Sequence, residues 1–130
     1  MRIVLADHYA GFIDIARDLL SGHCDVVAAV ADGPSLVASV DRLRPDLIVT
    51  DLSMPGFNGL EAIRRLRARQ VTAKAMILTL HADPVLVRDA LYVGAQGYVL
   101  KQNADKELLR AVRCVSRGLT YITSLPRGTM

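Results

Sequence analysis

Asp51 follows the apolar run Leu47-Ile48-Val49 by two residues and leads into Leu52-Ser53-Met54-Pro55-Gly56. A carboxylate in such a place can act as a nucleophile towards a phosphoryl group, provided the repulsion between the two anions is neutralised. A divalent cation does this, and Mg2+ asks for octahedral oxygen ligation from one or two carboxylates, the phosphate and several waters. Asp7, which ends another apolar run, and Asp51 can supply the carboxylates, and the backbone carbonyl of Ser53 can complete the protein's share. Lys101 can set an ammonium against a phosphate oxygen, and the Thr79 hydroxyl can donate to another. Tyr98 lies three residues before Lys101, so on an extended strand it points to the opposite side. There it can swing between exposed and buried rotamers as Thr79 moves.

Five short apolar runs must position these groups: Ile3 to Ala6, Val26 to Val30, Leu47 to Val49, Ala75 to Leu78 and Tyr98 to Leu100. They are continuous instead of alternating, as expected of strands covered on both faces, so the pattern predicts a parallel sheet between two helical layers. The intervening segments carry a helical period; in the first, Phe12, Ile15, Ala16, Leu19 and Leu20 form a stripe expected to face the sheet. Asp83-Pro84 predicts an N-cap with proline at the first helical position, Asn103 a cap for the last helix, and Gly22, Gly94 and Gly118 helix ends. The fourth helix has a wide apolar arc, Val85, Leu86, Val87, Ala90, Leu91, Tyr92 and Val93, which reads either as a partner surface or as a deeply packed helix. In an open parallel sheet, ligands bind outside the carboxyl ends of the strands. Asp7, His8, Asp51, Thr79 and Lys101 all fall at such ends.

The 130 residues suit one domain with one core, and the hydrophobic share of 52% excludes an extended disordered chain. No apolar run approaches the roughly 20 residues of a membrane span and no signal-peptide pattern opens the chain, which predicts a cytoplasmic protein. Cys24 and Cys114 lack metal-ligand spacing and read as reduced thiols. The net charge of +3 comes from scattered arginines, a weak sign of nucleic-acid binding. No helix-turn-helix candidate remains once the five sheet-covering helices are assigned. Residues 119–130 read as a linker stub following a domain over residues 1–118.

The segment Pro45-Asp46-Leu47-Ile48-Val49-Thr50-Asp51-Leu52-Ser53-Met54-Pro55-Gly56-Phe57-Asn58-Gly59-Leu60-Glu61 resembles the phosphoacceptor segment of CheY-like receiver domains of two-component response regulators. Gly94-Ala95-Gln96-Gly97-Tyr98-Val99-Leu100-Lys101 resembles their fifth-strand segment, with Ile77-Leu78-Thr79 between the two. The Asp-Leu-Ser-Met-Pro-Gly run and Leu80-His81 are most similar to receivers attached to helix-turn-helix output domains of the LuxR type. The resemblance implies a doubly wound five-stranded parallel sheet of order 2-1-3-4-5 with five helices. It also implies phosphotransfer from a histidine kinase to Asp51, dependence on Mg2+, a switch through Thr79 and Tyr98, and Lys101 on the phosphate. An output domain, an effector protein or a second copy of the chain is the implied partner, and DNA is reached only through a domain outside this chain. Such a domain is a phosphoacceptor and not an enzyme in the ordinary sense, although it can promote its own phosphorylation and dephosphorylation.

Similar receivers end their first strand with two adjacent acids, whereas this chain has Ala6-Asp7-His8. One register makes Asp7 the first acid and puts His8 at the second; the other makes Asp7 the second acid and Ala6 the missing first. His8 is read as a non-ligand, since magnesium prefers oxygen. Either register predicts weaker Mg2+ binding. Leu80 and Gln102 depart from the commoner small residue and proline, and predict narrower access to the site. Two competing functions follow. One is a phosphorylation-independent receiver fold that serves for dimerisation or docking. The other is a cofactor enzyme on a similar sheet, disfavoured because Asp7-His8-Tyr9-Ala10-Gly11 is no phosphate-cradling loop.

Overall fold

The computed structural model describes residues 1–123. Within them β1 (Arg2–Ala6), β2 (Asp25–Val30), β3 (Leu47–Thr50), β4 (Lys74–Thr79) and β5 (Gly97–Leu100) alternate with α1 (Ala10–Leu20), α2 (Gly33–Leu43), α3 (Gly59–Ala68), α4 (Pro84–Val93) and α5 (Ala104–Ser116). A single 3-10 turn, Lys101–Asn103, precedes α5, and a two-residue strand, β6 (Tyr121–Ile122), follows it. The sheet is parallel throughout, in the order β2-β1-β3-β4-β5-β6. The five expected strands and their order are present. The sixth was not foreseen: residues 119–123 of the expected linker run back along the sheet edge, and residues 124–130 lie outside the described part.

Alternate residues of each strand enter two apolar layers, as the strand period of two requires. Val4, Ala6, Ile48, Ala75, Ile77, Tyr98 and Leu100 pack under α2, α3 and α4, while Ile3, Leu5, Leu47, Val49, Met76, Leu78 and Val99 pack under α1 and α5. Both faces are covered, which explains why the strands read as unbroken apolar runs.

The stripe expected on α1 is corrected in one member. Ile15 is half exposed and Ile13 packs on the core in its place. The buried arc is centred between Ala16 and Leu20, and at about 100° per residue Ile15 falls outside it. Asp83 caps α4 as expected, its carboxylate accepting from the Val85 N–H at 2.9 Å, and Gly94 ends that helix in the left-handed region. Asn103 stands at the N-cap position of α5 without capping it: its amide is turned to Thr123 instead, and the 3-10 turn leads directly into the helix. On α4, Val87 and Ala90 are buried, whereas Val85, Leu91 and Tyr92 are exposed, so the wide arc is only partly packed and leaves an apolar outer face. Cys24 and Cys114 are free and half-buried. Among the described residues no helix is long and apolar enough to cross a membrane.

Candidate functional site

The carboxyl ends of β1, β3, β4 and β5 bring the site together, and the adjacent main chain holds it in place. The Asp7 N–H bonds the Val30 carbonyl at 3.0 Å, and the Asp51 N–H bonds the Ala6 carbonyl at 2.8 Å, so both acids continue the ladder before their chains turn away. Asp7 is almost wholly buried, one carboxylate oxygen accepting from the Tyr9 N–H at 2.8 Å. One oxygen of Asp51 accepts from the Leu52 N–H at 2.7 Å.

Lys101 joins the two acids. Its Nζ lies 2.6 Å from Asp7 Oδ2 and 3.0 Å from Asp51 Oδ2. All three side chains are at least seven-eighths buried, and burial strengthens their mutual attraction because little water screens it. The ammonium also sits 4.7 Å from the centre of the Phe12 ring on α1, within the range of a cation–π contact. Phe12 belongs to the site, although its sequence signal was only that of a core stripe.

The loop after β3 owes its path to glycines. A Cβ on Gly59 would stand 2.1 Å from the Asp51 carbonyl oxygen, so only glycine lets α3 start directly against the Asp51 main chain. The Gly59 N–H bonds the Leu52 carbonyl at 2.9 Å, and the Gly33 N–H bonds the Pro55 carbonyl at 3.1 Å. Asn58 caps α3 through the Glu61 N–H at 2.8 Å. Thr50, fully buried, donates its hydroxyl to the Asp51 carbonyl at 2.9 Å. Sequence reasoning passed over Thr50 and Gly59; the Asn-Gly pair so soon after Asp51 was the available signal. Ser53 lies in this loop and is exposed.

Thr79 and Tyr98 meet at His81. The Thr79 hydroxyl accepts from the His81 N–H at 3.3 Å, and the Tyr98 hydroxyl donates to the His81 carbonyl at 2.5 Å. Tyr98 is in its buried rotamer within the layer under α4, while Lys101 contacts Phe12 on the α1 side, so the two residues leave β5 on opposite faces. Burial, reinforced by the negative charges of Asp83 and Asp51, pushes the Tyr98 phenol up to about 12.

His8 is exposed, and Ala6 enters the core under α2 and α3. Of the three residues in the two registers, only Asp7 turns to Lys101. Among the described residues no three of His, Cys, Asp and Glu cluster as a metal cage. The oxygen donors at the site are two carboxylates, near enough to share one ammonium, and hard oxygen ligands of this kind fit Mg2+. Leu80 points outwards, two-thirds exposed, and with Gln102, Tyr9, Phe12 and Ile15 lines an open groove of about 540 Å³ leading to Lys101.

An acid at the end of the central strand of a doubly wound parallel sheet, with a buried lysine upon it from the end of β5, two strands away, defines a class of phosphoacceptor domains. Residues 3–113 match the response regulator receiver domain, and the chain belongs to that family. It is 39% identical over 127 residues to the oxygen regulatory protein NreC of Staphylococcus haemolyticus (94% of this chain, 58% of NreC). It is 36% identical over 124 residues to the transcriptional regulatory protein DegU of Brevibacillus brevis (94% of this chain, 52% of DegU). The chain therefore spans between half and three-fifths of these relatives. A two-component response regulator of the LuxR family from Aurantimonas superposes with a TM-score of 0.88 at 31% identity, over 92% of this chain and 87% of that one. Membership of this family, with close relatives among LuxR-type regulators, displaces the cofactor-enzyme reading.

Proposed function

We propose that Asp51 accepts a phosphoryl group from a phosphohistidine of a histidine kinase, with Mg2+ held by Asp7, Asp51 and the Ser53 carbonyl. The observation that carries this reading is the pair of contacts from Lys101 to Asp7 and Asp51 at 2.6 and 3.0 Å. In the transfer, an Asp51 oxygen forms a bond to phosphorus while the phosphorus–nitrogen bond breaks and the imidazole leaves with the electron pair. Lys101 then follows the phosphoryl oxygens as a point charge. The Thr79 hydroxyl turns from the His81 N–H to donate to another phosphoryl oxygen, and the loop that Tyr98 grips from the other side is re-set. Bound Mg2+ supplies neutralisation of the charge shared by carboxylate and phosphoryl group. Water attack on the same phosphorus, with the bond to the Asp51 oxygen breaking and the carboxylate leaving with the electron pair, releases inorganic phosphate and lets the domain reverse its own modification.

The groove bordered by Tyr9, Ile15 and Leu80 gives the kinase an apolar footing beside the acceptor, and the outer face of α4, with Val85, Leu91 and Tyr92, suits a second copy of the chain. The parent protein is a cytoplasmic transcriptional regulator whose DNA contacts are made by another domain, as the likeness to longer regulators supports.

The test is intact-mass detection of labelling by acetyl phosphate, with and without Mg2+, on this chain and on Asp51→Asn. A Mg2+-dependent gain of one phosphoryl group that vanishes in the variant is expected. No gain on a folded chain overturns the reading in favour of a phosphorylation-independent docking module.

A further inference from the structure

The sixth strand is held by more than its ladder. The Tyr121 N–H bonds the Gln96 carbonyl at 3.0 Å and the Thr123 N–H bonds the Tyr98 carbonyl at 2.8 Å, so the segment closes the outer edge of β5. Glu107 on α5 grips both ends of it: one carboxylate oxygen accepts from the Tyr121 hydroxyl at 2.7 Å and the other from the Thr123 hydroxyl at 2.9 Å. Asn103 completes the clamp, its amide donating to the same Thr123 oxygen at 3.2 Å. Thr123, just beyond the two-residue strand, is buried, although such a strand alone would be too short to persist.

Asn103 ends the 3-10 turn that Lys101 begins. Only the exposed Gln102 therefore lies between the lysine buried at the acidic pair and the asparagine whose amide holds Thr123. Hydrogen bonds in series, as from Asn103 through Thr123 to Glu107, strengthen one another, and losing the first weakens the rest. The bond from Asn103 is the longest of the three side-chain bonds that hold Tyr121 and Thr123.

We infer that the edge of β5 together with Glu107 is a docking site for an extended segment, filled in cis by Tyr121–Thr123, and that the contacts of Lys101 at the acidic pair set its occupancy through the 3-10 turn. The involvement of phosphorylation rests on the reading of Asp51 given above; the link from Lys101 to β6 does not. Phosphorylation shifts Lys101 from the carboxylates to the phosphoryl oxygens, and Tyr121–Thr123 is released from the sheet edge. The freed edge of β5 is then left with unpaired backbone groups.

Amide hydrogen exchange at Thr123, measured on the full chain, tests the inference. In millimolar Mg2+, which offsets the repulsion between the two acids, Lys101→Met keeps the aliphatic stem and removes the ammonium, and is expected to speed exchange at Thr123 about tenfold relative to the core amides of Val4 and Leu5. Glu107→Gln is expected to do the same directly and serves as the reference for an open edge. Beryllofluoride with Mg2+ on the unaltered chain is expected to match Lys101→Met. Unchanged Thr123 exchange in Lys101→Met, with Glu107→Gln raising it, overturns the inference, as does a rise shared equally by Val4 and Leu5. Failure of Asp51 to take a phosphoryl group shows separately, as the missing mass gain, and leaves the Lys101→Met comparison decisive.

Discussion

Tyr98 donates its phenolic hydrogen to the main-chain carbonyl of His81 at 2.5 Å, tying β5 to the loop after β4. The acceptor is backbone, so the tie is independent of the side chain at position 81. Tyr98→Phe keeps the ring and leaves the carbonyl unpaired, and is expected to cost about 1–2 kcal/mol in urea denaturation at neutral pH. The phenol stays neutral in the fold up to about 12, above its unfolded value near 10. A pKa raised by folding gives a contribution fully present below the unfolded value and lost as pH rises through the folded one. The advantage of the wild type over Tyr98→Phe should therefore hold to pH 10 and shrink between about 10 and 12. An advantage that is flat across this window would contradict the buried hydroxyl.

Lys101 neutralises two buried carboxylates that would otherwise repel each other. Lys101→Ala removes the cation and leaves both charges, which is expected to destabilise the domain by about 3 kcal/mol in metal-free buffer. Millimolar Mg2+ should restore a large part of the loss, because a divalent ion between Asp7 and Asp51 replaces the ammonium. Thermal melts with EDTA and with Mg2+ decide the matter. An equal loss in both buffers would mean that the two acids do not share a cation.

Much of this could be read from the chain because the fold concentrates chemistry at strand ends. The run Leu47-Ile48-Val49 is apolar on both faces, so a polar residue at its end is conspicuous, and Asp7, Thr79 and Lys101 stand out in the same way. Tyr98 and Lys101 separated as strand parity demands. What stayed hidden has a physical pattern as well. β6 has two residues, too few for any periodicity, and its grip on Glu107 links positions 14 and 16 apart. The bonds of Thr79 and Tyr98 to His81 involve main-chain atoms, which have no signature in residue type. Asn103 was assigned to capping because asparagine prefers that position, but a long-range partner, Thr123, captured its amide. Phe12 looked like any core aromatic until the lysine it faces was placed.

Gly59 is the closest constraint on the proposed acceptor. Gly59→Ala drives a methyl group into the Asp51 carbonyl, and because the neighbour is backbone it cannot give way cheaply. A loss of about 3 kcal/mol is expected in chemical denaturation. Asp51 should be labelled by acetyl phosphate at least several-fold more slowly in the fraction that remains folded. A variant of wild-type stability would show that α3 can shift without disturbing Asp51.

The two registers open to Ala6-Asp7-His8 lead to different engineered acids. Position 8 is exposed and adjacent to Asp7, so a carboxylate there stays hydrated and can turn to a cation at the site. Position 6 faces the core under α2 and α3, where an added carboxylate has neither water nor a partner. His8→Asp is expected to tighten Mg2+ binding by about tenfold, since affinity for hard cations rises with the number of charged oxygen ligands. Ala6→Asp is expected to cost on the order of 3 kcal/mol of stability, the penalty of an uncompensated buried charge, with no gain in affinity. Isothermal titration with Mg2+, paired with urea denaturation of each variant, separates the two. If Ala6→Asp were the tighter binder, β1 would end one residue earlier in solution, and Asp7 would take the place assigned here to position 8.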